Sequence, residues 1–460
     1  MALDLFVVLL YVAAMLALGW YGMRRAKTRE DYLVAGRNLG PGFYLGTMAA
    51  TVLGGASTIG TVRLGYVHGI SGFWLCAALG LGIVGISLLL AKPLLKLKIY
   101  TVTQVLERRY TPTARHASAV IMLVYALTLA ATSTIAIGTV MQVLFGMPFW
   151  VAILLGGGIT VTYSTIGGMW SLTLTDIVQF LIMTIGLVFI LMPISISDAG
   201  GWDALVATLP ASYFSFTSIG WDTIVTYFLI YFLGIFIGQD IWQRVFTARS
   251  EGVARVAGTA AGLYCVLYGL AAALIGMAAK VLLPDLDNAN NAFASIVQHS
   301  LPDGIRGLVI AAALAALMST ASAGLLAAST TAAQDLWPLL GGKDEDGDAH
   351  KNRVFTLLLG VIVLAIALVV SDVISALTLA YNLLVGGMLV PLLGAIYFKR
   401  ATTFAAILSM LCGSLTAALF MFLDGLDANT PIYYSLTVAT LTFIVASQVS
   451  RRSATVSHAL

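Results

Sequence analysis

Hydrophobic positions in this chain fall in long unbroken runs, not at the three-to-four or two-residue spacing of a half-solvated helix or strand. Thirteen runs can be marked out, at 3–23, 41–64, 70–95, 117–143, 148–168, 173–195, 221–243, 257–281, 306–332, 354–371, 373–398, 402–424 and 431–449. At about 1.5 Å per residue, each is long enough to cross a hydrocarbon core of roughly 30 Å as a helix. The ten-residue alternation of a membrane barrel does not occur. The pattern predicts an all-α polytopic membrane protein with 13 transmembrane helices, in which residues 1–460 form a single transmembrane domain.

Composition agrees: 60% of residues are hydrophobic and 10% charged, against about 25% charged in soluble domains. The basic residues set the orientation, because cytoplasmic loops concentrate Lys and Arg. With the N-terminus outside, the inside segments 24–40, 92–116, 169–172, 244–256, 333–353, 399–401 and the tail from 450 hold 21 of the 24 Lys and Arg residues. The expected topology is therefore N-out/C-in, in a plasma membrane of the bacterial inner-membrane type. The first run is not read as a cleaved signal, since no Lys or Arg precedes it, Asp4 stands at its start, and Arg24, Arg25 and Lys27 follow it. The net charge of +3 follows from this loop bias, so the partner expected is the lipid bilayer and no nucleic acid. Cys76, Cys265 and Cys412 all fall within apolar runs, an odd set that argues for core packing over a disulfide framework.

Two runs carry glycines where a continuous helix would not want them. FYLGTMAATVLGGASTIGTVRLG has Gly54 and Gly55 at its middle and Gly60 just after; WDTIVTYFLIYFLGIFIGQDIWQ has Gly234 and Gly238 past its middle. Runs two to six (41–195) and seven to eleven (221–398) would each form a unit of five helices opening with one of these interrupted helices. An odd count inverts the second unit relative to the first. That is the sequence signature of an inverted repeat, with its binding site near the midplane where backbone is unwound. One helix (3–23) precedes the repeats and two (402–449) follow. LAATSTIAIG at 129–138 echoes LAALMSTASAG at 314–324. A short amphipathic helix is expected around 291–300, placed to cover an entrance. Asp344, Asp346 and Asp348 alternate as in a calcium loop, but Phe355 stands where the closing acid belongs, so a solvated linker is expected.

The run at 306–332 keeps Ser319, Thr320, Ser322, Ser329 and Thr330 among alanines. Ala316, Ser319 and Thr320 stand at i, i+3 and i+4, on one helix face. Small and hydroxyl residues let membrane helices pack closely, which is one reading. The other is a cation site. The hydroxyls of Ser319 and Thr320, the carbonyl of Ala316, and the carbonyls of Ala56 and Ile59 from the glycine-broken helix would supply five neutral oxygens. Such a set suits a weakly held monovalent cation better than a divalent one.

GGASTIG (54–60), GGMWSLTLTDIVQ (167–179), GQDIWQRVFTARS (238–250) and LAALMSTAS (314–322) together resemble the sodium:solute symporter family, over roughly residues 1–450. That family includes bacterial proline, pantothenate and sialic-acid carriers and mammalian sodium–glucose carriers. The resemblance implies a five-plus-five inverted-repeat fold. It also implies a sodium site at Ala56, Ile59, Ala316, Ser319 and Thr320. In some members a second cation lies beside an acid that matches Asp176, with hydroxyls matching Ser319 and Ser322, although Ala323 stands where those members carry another hydroxyl. The substrate cavity implied by the family would draw on Thr58, Phe73, Trp74, Tyr125, Thr128, Tyr231, Phe232, Gln239, Tyr381 and Asn382.

Two intramembrane charges add to this. Asp176 either anchors its helix end or guides an exiting ion or proton. Arg63 lies in the outer half of its run, where a planar guanidinium suits a substrate carboxylate or a gate salt bridge. The function expected is Na⁺-coupled import of a small polar organic solute, a carboxylate on the strength of Arg63, by a carrier acting as a monomer with Na⁺ as co-transported ion and no organic cofactor. A proton-coupled carrier of the same fold is the alternative. An intramembrane enzyme lacks its HExxH or paired acids, and a channel needs a filter built from several subunits.

Overall fold

The computed structural model describes residues 2–341, 349–369 and 372–450. The stretch holding Asp344, Asp346 and Asp348 lies outside the described residues, as does the tail beyond 450. Among the described residues the chain is helical, with no strand beyond one isolated bridge between Leu39 and Ala248. Among the described residues, ten helices are long and apolar enough to cross a membrane, or up to 11 with one bent pair. In lipid a backbone must satisfy its own polar groups, so helices are what these runs become.

Several of the long helices are interrupted. The Pro41–Val52 helix ends at Leu53, whose ψ of 58° leaves the helical region, and a wider turn at Ala56–Gly60 leads into Thr61–His68. The Trp221–Ile235 and Gln239–Val245 segments meet at 48°. The run Phe149–Asp198 counts 50 residues and passes through Gly168, where φ is +53° and ψ −138°. Only glycine adopts that backbone cheaply. The run Ala56–Leu89 likewise passes through Gly69, at φ +68°.

The hydroxyl-rich helix, Ile305–Thr331, lies at the centre: nearly all its residues from Val309 onward are buried. It packs against Pro112–Phe145, Gly158–Met183 and the Pro41–Val52 segment. Its hydroxyls are affordable there because several return to their own helix. Ser322 donates to the Ser319 carbonyl at 2.9 Å and Thr330 to the Leu326 carbonyl at 2.7 Å. The helix expected near 291–300 is present as Ala292–Ser300.

Candidate functional site

The break at Leu53–Gly54 strips two carbonyls of their helical donors. In an unbroken helix the carbonyls of Ala50 and Thr51 would accept from the N–H groups of Gly54 and Gly55. Here Gly54 N–H donates to the Val52 carbonyl at 3.0 Å and Gly55 N–H to the Ser133 hydroxyl at 3.3 Å. The hydroxyl-rich helix supplies the replacements. Ser319 Oγ donates to the Ala50 carbonyl at 2.7 Å, and Thr320 Oγ1 to the Thr51 carbonyl at 2.7 Å. Ser319 Oγ also lies 2.9 Å from the Ala316 carbonyl. Gly54 is what allows this approach, since a Cβ there would sit 2.5 Å from Thr320 Cβ.

A narrow cavity of about 20 Å³ opens beside the break, with Ala56, Ser133, Asp240, Thr320 and Tyr381 among its walls. Ala56 and Thr320 thus share one cavity. Ile59 lies on a neighbouring, larger one of about 520 Å³, together with Gly60, Ile374 and the asparagines Asn288, Asn290 and Asn291 that precede the Ala292–Ser300 helix. Arg63, half-buried, lines a third cavity of about 140 Å³ with Thr378 and Asp427. It also acts electrostatically on Asp372. That residue caps the Val373–Leu384 helix by accepting from Ser375 N–H at 2.8 Å.

Asp176 is fully buried. One of its oxygens accepts from the Thr47 hydroxyl and stands 3.8 Å from Arg244 Nη2, while Oδ1 has no hydrogen-bond partner among the described residues. Ser322 gives its proton to the Ser319 carbonyl of its own helix, and among the described residues it forms no hydrogen bond to this carboxylate.

The residues expected around a solute divide. Tyr381 lines the narrow cavity, with Tyr125 and Tyr231 edge-on to it at 5.2 and 5.3 Å. Tyr231 shares a hydrogen bond with Thr378 at 3.1 Å. Thr58 pairs instead with the Tyr268 hydroxyl at 3.1 Å. Trp74 donates to the Phe216 carbonyl at 2.7 Å and packs at a tilt against Phe73. Phe232 packs on Phe228 and Phe236. Thr128 donates to its own helix at Val124. Gln239 is held at both ends of its amide, by Val102 N–H and the Tyr100 carbonyl. Asn382 is buried with its Oδ1 lacking a hydrogen bond among the described residues. Residue-by-residue reading missed Asp240, which lies on the narrow cavity and accepts from the Tyr125 hydroxyl at 2.9 Å. Its signal was present: a carboxylate two residues past Gly238, within the interrupted helix.

A sequence profile of the sodium:solute symporter family matches residues 32–413. The chain belongs to the sodium:solute symporter family. As a member it is a multi-pass plasma-membrane protein that couples solute transport to Na⁺ in symport. This symporter is 25% identical to the osmoregulated proline transporter OpuE of Bacillus subtilis (strain 168), across 98% of its own length and 96% of that protein's. It is 24% identical to a sodium/proline symporter of Staphylococcus aureus (strain JH9), across 89% and 84%. Its fold is similar to a substrate-bound, outward-open Na⁺-coupled sialic acid symporter, with a TM-score of 0.84 at 21% identity over 100% of this chain and 99% of that one. A nucleobase-cation-symport-1 transporter, Mhp1 in a closed conformation, matches at 0.61 and 15% identity, over 93% and 96%.

Proposed function

We propose that this symporter imports a small polar organic solute bearing a carboxylate, and that Na⁺ binds where the broken Pro41–Gly60 segment meets Ser319 and Thr320. The observation that carries this reading is the seating of those two hydroxyls on the carbonyls of Ala50 and Thr51. A hydroxyl whose proton is already donated turns its lone pairs outward, and two such oxygens side by side suit a hard monovalent cation. The carbonyls of Ala316, Ala56 and Ile59 complete the proposed shell. A second cation beside Asp176, Ser319 and Ser322 is less well supported, because Arg244 already stands near that carboxylate.

Coupling follows from geometry. An ion that bridges the broken helix and the hydroxyl-rich helix stabilises whichever conformation holds the two together. A ligand shifts a conformational equilibrium only through such a difference in affinity. The membrane architecture proposed is 13 spans, N-out and C-in, with repeats at 41–195 and 221–398. The 50-residue run supports that count: as one helix it would measure about 75 Å, more than twice the bilayer core, so two passes meeting at Gly168 fit better. The bends after Leu53 and Ile235 support a pair of interrupted helices at the start of each repeat. A single copy of the chain contains the whole proposed site, which is the basis for expecting a functional monomer.

Arg63 supports the carboxylate as the cation on the approach to the site. Its sharing of a cavity with Asp427 favours a second role, closing an outer gate. The deciding experiment is uptake into proteoliposomes. Saturable uptake driven by a Na⁺ gradient is expected; uptake driven equally by a proton gradient without Na⁺, or a flux that does not saturate, would overturn the reading.

A further inference from the structure

The last two helices, Thr403–Asp424 and Thr430–Val449, lie side by side with the start of one against the end of the other. Two hydrogen bonds pin them. The Thr402 and Ser450 hydroxyls share one of 2.7 Å, and Ser409 Oγ donates to the Ala439 carbonyl at 2.8 Å. Beside these pins runs a groove of about 440 Å³, walled by Phe404 and Leu408 of one helix and Leu441, Val445, Ala446 and Val449 of the other. Thr442 supplies the one hydroxyl on its walls. Phe404, Leu441, Val445 and Val449 are each more than half exposed, so the groove opens sideways. From Leu441 to Val449 it runs about 12 Å along the helix. Half of a hydrocarbon core is roughly 15 Å, so the groove fits within one leaflet.

Its mouth is basic. The turn at 398–401, which leads into Phe404, carries Lys399 and Arg400, both exposed. Arg109 brings a third cation to the same turn, donating to the carbonyls of Phe398 and Lys399 at 3.4 and 3.1 Å. Among the described residues none of the three forms an ion pair with Asp or Glu. The acid nearest Arg109 in sequence, Glu107, is taken by Arg115 at 2.7 Å. Tyr397, also exposed, stands beside this turn, as aromatic residues do at the headgroup level.

We propose that this groove binds an anionic phospholipid of the surrounding bilayer. One acyl chain lies along Phe404, Leu408 and Val445, and Lys399 and Arg400 hold the phosphate. Charge complementarity selects this occupant, since basic pockets between membrane helices take anionic headgroups while the apolar walls take hydrocarbon. A second copy of the chain fits less well. A two-fold interface sets the same patch against itself, which would bring Lys399 and Arg400 toward their own counterparts. The lipid site is separate from the helix break and does not depend on which solute is carried.

The test places the purified full-length protein in nanodiscs of zwitterionic phosphatidylcholine. The probe is phosphatidylglycerol with a photoactivatable diazirine in one acyl chain. After irradiation, peptide mass spectrometry should find label on 404–408 and 441–449. Unlabelled phosphatidylglycerol should compete it away, with phosphatidylcholine and glycerol phosphate ineffective. Lys399→Gln/Arg400→Gln should cut labelling of these peptides by about tenfold or more, and Ala446→Trp, which fills the groove, should abolish it with the charges in place. Competition in the wild type reads the site without any variant, should one of them fail to fold. Equal competition by phosphatidylcholine would overturn the proposal, as would label confined to other peptides or unchanged labelling in either variant. Displacement by glycerol phosphate would do the same, marking a site for a free anion. So would a dimer in detergent that Ala446→Trp dissociates, which would give the groove to a second copy.

Discussion

The hydroxyl of Thr320 reaches across 269 residues of sequence to donate to the carbonyl of Thr51 at 2.7 Å. That carbonyl is free to accept because Gly55, its helical partner, has turned to Ser133. The break in one helix and the hydroxyls of another are therefore one structural unit.

Removing either hydroxyl should weaken Na⁺ binding. Ser319→Ala and Thr320→Ala are each expected to raise the half-saturating Na⁺ concentration by about tenfold, the loss of one hydrogen-bonding oxygen toward a charged group. Na⁺ titration of uptake measures it. Unchanged sodium dependence in both variants would count decisively against the site.

Gly54 should tolerate no side chain. The Cβ of Gly54→Ala would sit 2.5 Å from Thr320 Cβ and 2.7 Å from its Cγ2, and such overpacking costs about 1–3 kcal/mol. Thermal unfolding in detergent should show the loss, and the same substitution in a Thr320→Ala background should cost less. Equal costs in both backgrounds would mean that the two residues do not press on one another.

At Arg63 the neighbours separate two outcomes. Arg63→Gln should weaken uptake of anionic or zwitterionic solutes more than neutral ones if the guanidinium guides a carboxylate. Loss of uptake for all solutes alike, with partial recovery in Arg63→Gln/Asp427→Asn, is the result expected of a gate. Initial rates for a charged and a neutral solute distinguish them.

Asp372 lies between two helices and is held as a carboxylate. Burial works against its ionisation, but the Ser375 N–H and hydroxyl, the Arg63 charge and the Asn290 amide outweigh it and bring its pKa below the ordinary 3.8. A depressed carboxyl contributes stability above its unfolded pKa and loses it as pH falls through the folded one. Wild type should therefore lose its advantage over Asp372→Asn only below about pH 4, with a constant difference from pH 5 to 8. Asp372→Ala, which also removes the helix cap, should cost about 0.5–2 kcal/mol. Thermal stability across that pH series checks both.

Arg244 is the buried cation on which Asp176 and Asp240 both depend. Arg244→Met should destabilise the fold by about 3–5 kcal/mol, since truncating one partner leaves buried carboxylates without their counter-charge. The double variant Arg244→Met/Asp176→Asn should recover part of that loss. Failure to recover would mean that the 3.8 Å pair carries little of the stability.

By itself the sequence determined the properties that arise within single helices. The long apolar runs require helices because lipid offers the backbone no other partner. Gly54 and Gly238 mark the interrupted segments, since both lie where the helix loses its regular bonding. The 3.6-residue repeat puts Ala316, Ser319 and Thr320 on one face. What those side chains meet was decided only by packing between segments far apart in the chain. Ser319 and Thr320 meet the carbonyls of Ala50 and Thr51, a pairing set by how two helices cross. Thr58 turns to Tyr268 and Gln239 to Tyr100 and Val102, away from the cavity. Asp240, one residue from Gln239, lies on the cavity wall instead. Adjacent residues on a helix point about 100° apart, so neighbouring positions end on different faces, and only the tertiary fold says which face looks into the site.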